Sequence, residues 1–285
     1  MITVDFLDEL DRFNLALKKH SEGLHEGRQK SGDTGTGMIF EDHKKYIPGD
    51  DIRRMDWKAY ARSNEYYIKR FEEEKSVTLH VLLDRSSSMD YGRFNKYEYG
   101  AKLGVGLAYM ATNTSDRYRF SVFSETVTDI SSARRSLNPR ELVDTLNTLD
   151  YTPDSRFERC LTQYGDYIKN TSVVVVISDF LSSEGDISRG VERLSDSDMV
   201  LVNVLDETEI EPDFEGDTIL KDPESGDSLR TYLSGKVKSR YEKKMEEHTG
   251  KVAEAAERNG ARYLKVSTGD DFFDSFMSLW QEVNR

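Results

Sequence analysis

The chain has 285 residues, 36% of them hydrophobic and 33% charged, with a formal net charge of −13. That length and apolar content support a buried core in one large domain or two small ones, and exclude a chain disordered by composition. The acidic balance argues against general nucleic-acid or anionic-membrane binding, because both need a cationic footprint.

A single cysteine, Cys160, rules out an intramolecular disulfide and fits a reducing cytosol. Set in Phe157–Leu161 with no histidine beside it in sequence, it is expected to be a buried small apolar residue and not a nucleophile. The first residues carry acids where a signal peptide needs a basic segment. No stretch of about 18 apolar residues offers a spanning helix. A soluble, cytoplasmic protein is expected.

Residues 1–75 read as an N-terminal extension of short elements. Phe6, Leu7, Leu10, Phe13, Leu15 and Leu17 recur at helical spacing within Val4–Lys19. Ser31–Gly37 is glycine-rich but lacks the Gly-Lys-Ser/Thr of a phosphate loop, so it reads as a flexible turn or hairpin connection. Tyr46–Asp51 is a turn, with Pro48 presetting φ and Gly49 supplying a positive φ. Ile52–Tyr60 reads as a short helix with Trp57 buried and Arg53, Arg54 and Lys58 solvated. Glu65–Phe71 alternates as a strand.

Residues 76–285 alternate strands with helices, the pattern of a doubly wound, mostly parallel α/β sheet with Rossmann-like topology. Strands are predicted at Val77–Asp84, Arg119–Ser124, Ser172–Ser178, Met199–Leu205 and Arg262–Val266, with an edge strand at Val127–Ile130. The run Val173–Ile177 suits a central strand buried on both faces. Helices are predicted at Lys96–Thr112, Pro139–Leu149, Arg156–Lys169, Ile187–Leu194, Lys236–Asn259 and Phe272–Val283. Asn138, Pro139 and Glu141 form a helix start, with Asn as cap, Pro at N1 and Glu at N3. Gly100 and Gly104 lie inside a predicted helix and not in the turn before it, which suits close helix–sheet packing and not a dinucleotide fingerprint. Residues 211–234 interrupt the alternation with an inserted hairpin, Thr218–Lys221 against Leu229–Leu233.

The chemistry concentrates at strand ends. Asp84-Arg85-Ser86-Ser87-Ser88 follows a buried run and reads D-x-S-x-S. Asp84, Ser86 and Ser88 are hard oxygen donors at a strand-to-helix turn, where open α/β sheets bind ligands. Such donors suit Mg²⁺, Mn²⁺ or Ca²⁺ and not zinc or copper. Ser178-Asp179 ends a second buried strand in the same way. Asp154-Ser155, with Thr152 just before, opens the helix bearing Cys160. Each piece also has a structural explanation: Asp84 and Ser86 as helix caps, Ser155 with Glu158 as a capping box, Asp179 as a turn residue. Two acidic strand ends brought together would need a cation or a proton between them.

These residues resemble the metal-ion-dependent adhesion site of von Willebrand factor A-type domains. In that resemblance Asp84, Ser86 and Ser88 stand on the first loop and Asp179 on the third. Ser155 takes the second-loop position that usually holds Thr, with Thr152 as the alternative. Phe180 stands where many relatives have Gly. Upstream, Gly35-Thr-Gly37, Phe40-Glu-Asp42, Tyr46-Ile-Pro-Gly-Asp-Asp-Ile-Arg-Arg-Met-Asp-Trp57 and Ala61-Arg62 are similar to the family called domain of unknown function fifty-eight. The resemblance implies a von Willebrand A-like domain behind this motif and a MoxR-type AAA+ ATPase as partner.

The expected function is therefore a non-catalytic, Mg²⁺-dependent (or Mn²⁺- or Ca²⁺-dependent) protein-binding module. It would recruit an acidic residue of a partner, in chaperone-like maturation or complex assembly. A Mg²⁺-dependent hydrolase or phosphatase is the rival; position 86 is serine, so the D-x-D pairing of aspartyl-phosphate chemistry is missing, and no histidine adjoins a strand-end loop. The same residues would also permit an adhesion receptor, or a structural domain with an inactive metal site.

Overall fold

The β-branched run Val173–Ile177 forms the middle of a six-stranded sheet in the computed structural model of the chain. The structure describes all residues except 4, 24–37, 49, 53–54, 74–76, 132–136, 153–154, 169–171, 213–215 and 222–227, and side chains additionally except those of 18–23, 38–42, 69–73, 217–221, 228–231 and 233. The glycine-rich stretch 31–37, Gly49, Arg53, Arg54, Asp154 and the tip of the inserted hairpin lie outside the described residues.

In chain order the first elements are α1 (Asp5–Gly23), β1 (Met38–Lys45), α2 (Trp57–Ser63), β2 (Tyr67–Glu73), β3 (Thr78–Asp84) and α3 (Lys96–Thr114). Then follow β4 (Arg117–Phe123), β5 (Val127–Ser131), α4 (Pro139–Asn147), α5 (Phe157–Gly165), β6 (Ser172–Ser178) and α6 (Glu184–Glu192). The chain closes with β7 (Asp198–Leu205), α7 (Glu207–Ile210), β8 (Gly216–Lys221), β9 (Ser228–Leu233), α8 (Gly235–Arg258), β10 (Arg262–Ser267) and α9 (Phe272–Val283).

Contacts divide the chain into two units, one of Met1–Gly23 with Val77–Arg285 and one of Leu24–Ser76. The first 23 residues, expected in the extension, belong to the larger unit, because Ile2, Phe6 and Leu10 are buried in its core.

The larger unit has strand order β10-β7-β6-β3-β4-β5, parallel except for the edge strand β5. Strand β3 shows why the sheet is covered on both faces. Leu79, Val81 and Leu83 enter the core shared with α1, α3, α4 and α9, while Leu82 enters that shared with α5, α6 and α8. Period-two alternation thus sends successive side chains to opposite faces, both apolar, at about 1.5–3 kcal/mol for each fully buried aliphatic chain. This is the doubly wound, mostly parallel α/β sheet that the sequence led us to expect. Strands β8 and β9 pair as the expected hairpin.

In the smaller unit β1 and β2 pair antiparallel. No strand was expected at β1, and an irregularity between Phe40 and Asp42 there breaks the period-two pattern. The short helix begins at Trp57 and not at Ile52, because the Asp56 carboxylate caps it, accepting from Lys58 N (2.9 Å) and Ala59 N (3.0 Å). Trp57, expected to be buried, is 60% exposed. It sits at the first position of that helix, edge-on to Tyr60, which stacks on Tyr66.

Candidate functional site

The chain leaves β3 for β4 on one side and later returns to lay β6 on the other, so the winding reverses between β3 and β6. Open α/β sheets bind ligands outside the carboxyl ends of strands at such a switch point. Asp84 ends β3 and Ser178-Asp179 ends its neighbour β6, with Leu83 in register with Ile177.

The Asp84 carboxylate is buried and bonded to neutral donors: Oδ1 accepts from Ser86 N (2.8 Å) and Oδ2 from Ser178 Oγ (2.7 Å). It makes no ion pair among the described residues. Burial, and then the nearby Asp179 charge, push its pKa up to about 7, against the opposing bonds from Ser178 and Ser86. The two acidic strand ends therefore do come together. Ser86 and Ser88 are also buried, their hydroxyls 3.0 Å apart. A short 3-10 turn over Ser87–Met89 sets that spacing, while the cap of α3 falls to Asn95, whose Oδ1 accepts from Glu98 N (3.0 Å). Neither Asp84 nor Ser86 caps that helix.

The second loop is fastened to the first by backbone pairing. Ser86 and Thr152 form a parallel bridge, Ser87 N donates to Thr152 O (2.9 Å), and Thr152 N donates to Arg85 O (3.3 Å). Thr152 Oγ1 and Ser155 Oγ are both buried and make no hydrogen bond among the described residues. The capping box expected of Ser155 and Glu158 is absent. Arg156 holds the cap position of α5 without a side-chain cap bond, its backbone N–H donating instead to Ser124 O (2.8 Å). The Glu158 carboxylate instead takes Arg189 Nε at 2.8 Å.

Asp179 is buried just beyond the end of β6, and the next residue, Phe180, has a φ of 52° in the left-handed region. Asp179 Oδ1 accepts from Leu181 N (3.3 Å) and Oδ2 from the Lys96 ammonium (2.9 Å). Lys96 opens α3 and also donates to Glu209 Oε1 (2.7 Å). Burial opposes its charge, but Asp179 and Glu209 outweigh it and raise the Lys96 pKa. Glu209 closes a capping box with Asp206 on α7. Burial raises its own pKa against the pull of Lys96. Lys96 and Glu209 were not foreseen; Ser178 was read as an oxygen donor ending a buried strand, but its bond to Asp84 was not. The spacing Asp206-x-x-Glu209 is a capping-box signal that would have placed Glu209 at a helix start; nothing in the sequence marks Lys96. His248, remote in sequence, bonds the Phe180 carbonyl (2.7 Å).

The donor set fits a hard divalent ion. It combines a buried carboxylate with no counter-ion, two adjacent serine hydroxyls, and two buried hydroxyls on the paired loop that have no partner among the described residues. No group of three or more His, Cys, Asp or Glu side chains is placed to hold an ion among the described residues, so an ion here would depend on hydroxyl oxygens. That preference suits Mg²⁺ or Mn²⁺. Cys160 is buried with its thiol on Ser124 O, and burial pushes its pKa up to about 11, the opposite of an activated nucleophile.

A family model described as "Protein of unknown function DUF58" matches residues 42–251. "Uncharacterized protein Rv1480" of Mycobacterium tuberculosis (strain ATCC 25618 / H37Rv) is 23% identical over 273 residues, covering 92% of this chain and 85% of its own. Among solved structures, an aerotolerance-related membrane protein from Bacteroides fragilis NCTC 9343 is similar at 13% identity, covering 73% of this chain and 98% of that one, with a TM-score of 0.48. The conserved hypothetical protein BatB from Bacteroides thetaiotaomicron is similar at 13% identity, covering 73% and 97%, with a TM-score of 0.46.

Proposed function

Because this chain belongs to the DUF58 family of proteins of unknown function, we propose its role from the site itself: a non-catalytic, divalent-metal-dependent protein-binding module. Its ion would be held by Asp84, Ser86 and Ser88, by Ser155 or Thr152, and by Asp179. Mg²⁺ is the proposed metal, and bound there it supplies a coordination position open to a carboxylate from another molecule. Two buried hydroxyls without partners among the described residues, Thr152 Oγ1 and Ser155 Oγ, on the loop paired with Ser86, carry this reading. Buried polar atoms are normally satisfied, and a cation satisfies several oxygens at once.

Protein binding is favoured over turnover by what surrounds the edge. Tyr91 and Phe94, on the loop after β3, and Leu181, after Asp179, are each more than 40% exposed. Exposed apolar groups around an ion suit a partner surface. Neither His80, buried against the Tyr164 hydroxyl (2.9 Å), nor His248, held by a backbone carbonyl, is free to assist a hydrolytic step at this edge. The proposed partner is a MoxR-type AAA+ ATPase, with this chain acting beside it in chaperone-like maturation in the cytoplasm. The sequence carries no ATP-binding motif, so ATP hydrolysis would be the partner's. Among the described residues, no helix is long and apolar enough to cross a membrane.

Affinity capture from native lysate in Mg²⁺ and in EDTA, with the wild type, Asp84→Ala and Asp179→Ala, tests the proposal. Capture of the ATPase should fall at least about tenfold in EDTA and in Asp84→Ala, a loss of about 1.4 kcal/mol or more. Equal capture under all conditions would sink it.

A further inference from the structure

Lys96 is the side chain that the proposed site does not need. Its ammonium is 0% exposed, between Asp179 (2%) and Glu209 (10%). An unpaired buried ammonium is strongly disfavoured. Its place at the first position of α3 adds a further penalty, since a helix N-terminus already carries partial positive charge. Two carboxylates and the face of Tyr91, whose centroid lies 5.6 Å from Nζ, offset these costs. Buried ion pairs are seldom better for stability than apolar packing of the same volume, so a lysine here invites a role other than holding the fold.

That role follows from which oxygens it occupies. Asp179 Oδ2 is taken by Lys96 and Oδ1 by Leu181 N. Asp84 is left as the carboxylate of the edge with only neutral partners. We propose that Lys96 is a built-in counter-cation that holds the Asp179 carboxylate and thereby weakens divalent-ion binding at the Asp84–Ser86–Ser88 edge. The ion is then under-neutralised by the protein, and a partner's carboxylate supplies the missing negative charge. The inference rests on the metal-dependent reading above and adds the residue that sets its affinity. A positive charge bonded to one of the ion's proposed carboxylate ligands, at an effective dielectric near 20, would change ion affinity by about tenfold or more.

Mn²⁺ binding to the whole chain, followed by electron paramagnetic resonance of free Mn²⁺, tests it in the wild type, Lys96→Met, Lys96→Arg and Asp84→Asn. Lys96→Met should bind Mn²⁺ about tenfold or more tightly than the wild type, and show a larger rise in melting temperature on adding Mn²⁺. Lys96→Arg, which keeps the charge, should stay near the wild type. If Lys96→Met does not fold, Glu209→Gln substitutes for it. That change leaves the ammonium to Asp179 alone, so Mn²⁺ binding should weaken. Saturable binding that disappears in Asp84→Asn but is equal in the wild type and Lys96→Met, or in Glu209→Gln where that stands in, overturns the role of Lys96 and leaves the metal reading standing. No saturable Mn²⁺ binding in any variant overturns both.

Discussion

Phe180 sets two costs against each other at one position. Its φ of 52° costs a non-glycine residue about 1–2 kcal/mol. Its ring is fully buried, 5.5 Å from that of Phe157, and truncating a buried phenylalanine typically costs about 3–5 kcal/mol. Packing wins, so Phe180→Gly should lower stability by about 1–4 kcal/mol in urea unfolding although it relieves the backbone. An unchanged or raised midpoint would mean that strain dominates. The same residue anchors the third loop: its N–H donates to Ser178 Oγ (2.9 Å) and its carbonyl holds His248. The Ser178 hydroxyl in turn donates to Asp84. One hydroxyl thus couples the turn that presents Asp179 to the carboxylate at the end of β3. Asp84, Ser86, Ser88 and Asp179 were legible because oxygen donors end apolar runs. Lys96 was not, because a lysine on the first turn of a helix looks solvated until the fold encloses it.

Helix α3 carries Lys96 and depends on close approach to the sheet. A Cβ at Gly104 would lie 2.8 Å from the Phe120 ring and 3.1 Å from Val81 Cγ1, both buried. Alanine is the better helix former by up to about 1 kcal/mol. Overpacking a filled core costs about 1–3 kcal/mol, and neither neighbour can move into solvent. Gly104→Ala should therefore destabilise by about 1 kcal/mol or more, read as a lowered urea midpoint with an unchanged slope; stabilisation would show that the helix shifts without penalty. The glycines of this helix were legible as a packing face, and the strands as β-branched or alternating runs. Helix starts were less legible, because capping depends on which side chain reaches the first N–H groups. Asn138 does so at α4, accepting from Glu141 N (2.9 Å). Ser155 does not, because α5 starts one residue later than a cap there would need, with Arg156 in the cap position. Strand β1 stayed hidden because its irregularity erases the alternation by which strands are read.

The pH dependence of folding belongs to the whole molecule, and two buried groups give it opposite slopes. His80 is 3% exposed and bonded to Tyr164, and burial, then the Arg119 charge, lower its pKa from 6.5 to about 4. The unfolded chain binds the extra proton, so the contribution of His80 is present above about pH 6.5 and is lost as pH falls toward 4. A shift from 6.5 to about 4 corresponds to about 3 kcal/mol. Asp84, with its pKa raised to about 7, contributes stability at low pH that is lost as pH rises through that value. A single stability curve in EDTA would blend the two. Subtracting the curve of His80→Gln from that of the wild type removes the Asp84 contribution, which both proteins share. Urea unfolding between pH 4 and 8 should give a difference that is flat above about 6.5 and falls by up to about 3 kcal/mol on going down to about 4. Parallel curves throughout would mean that His80 is not held neutral by the fold. Because His80 lies earlier on β3 than Asp84, with its side chain on the α5 face, the same measurement repeated in Mg²⁺ should leave the difference unchanged. A metal-sensitive difference would tie the buried histidine to the sheet edge, and an insensitive one confines the response to the edge itself.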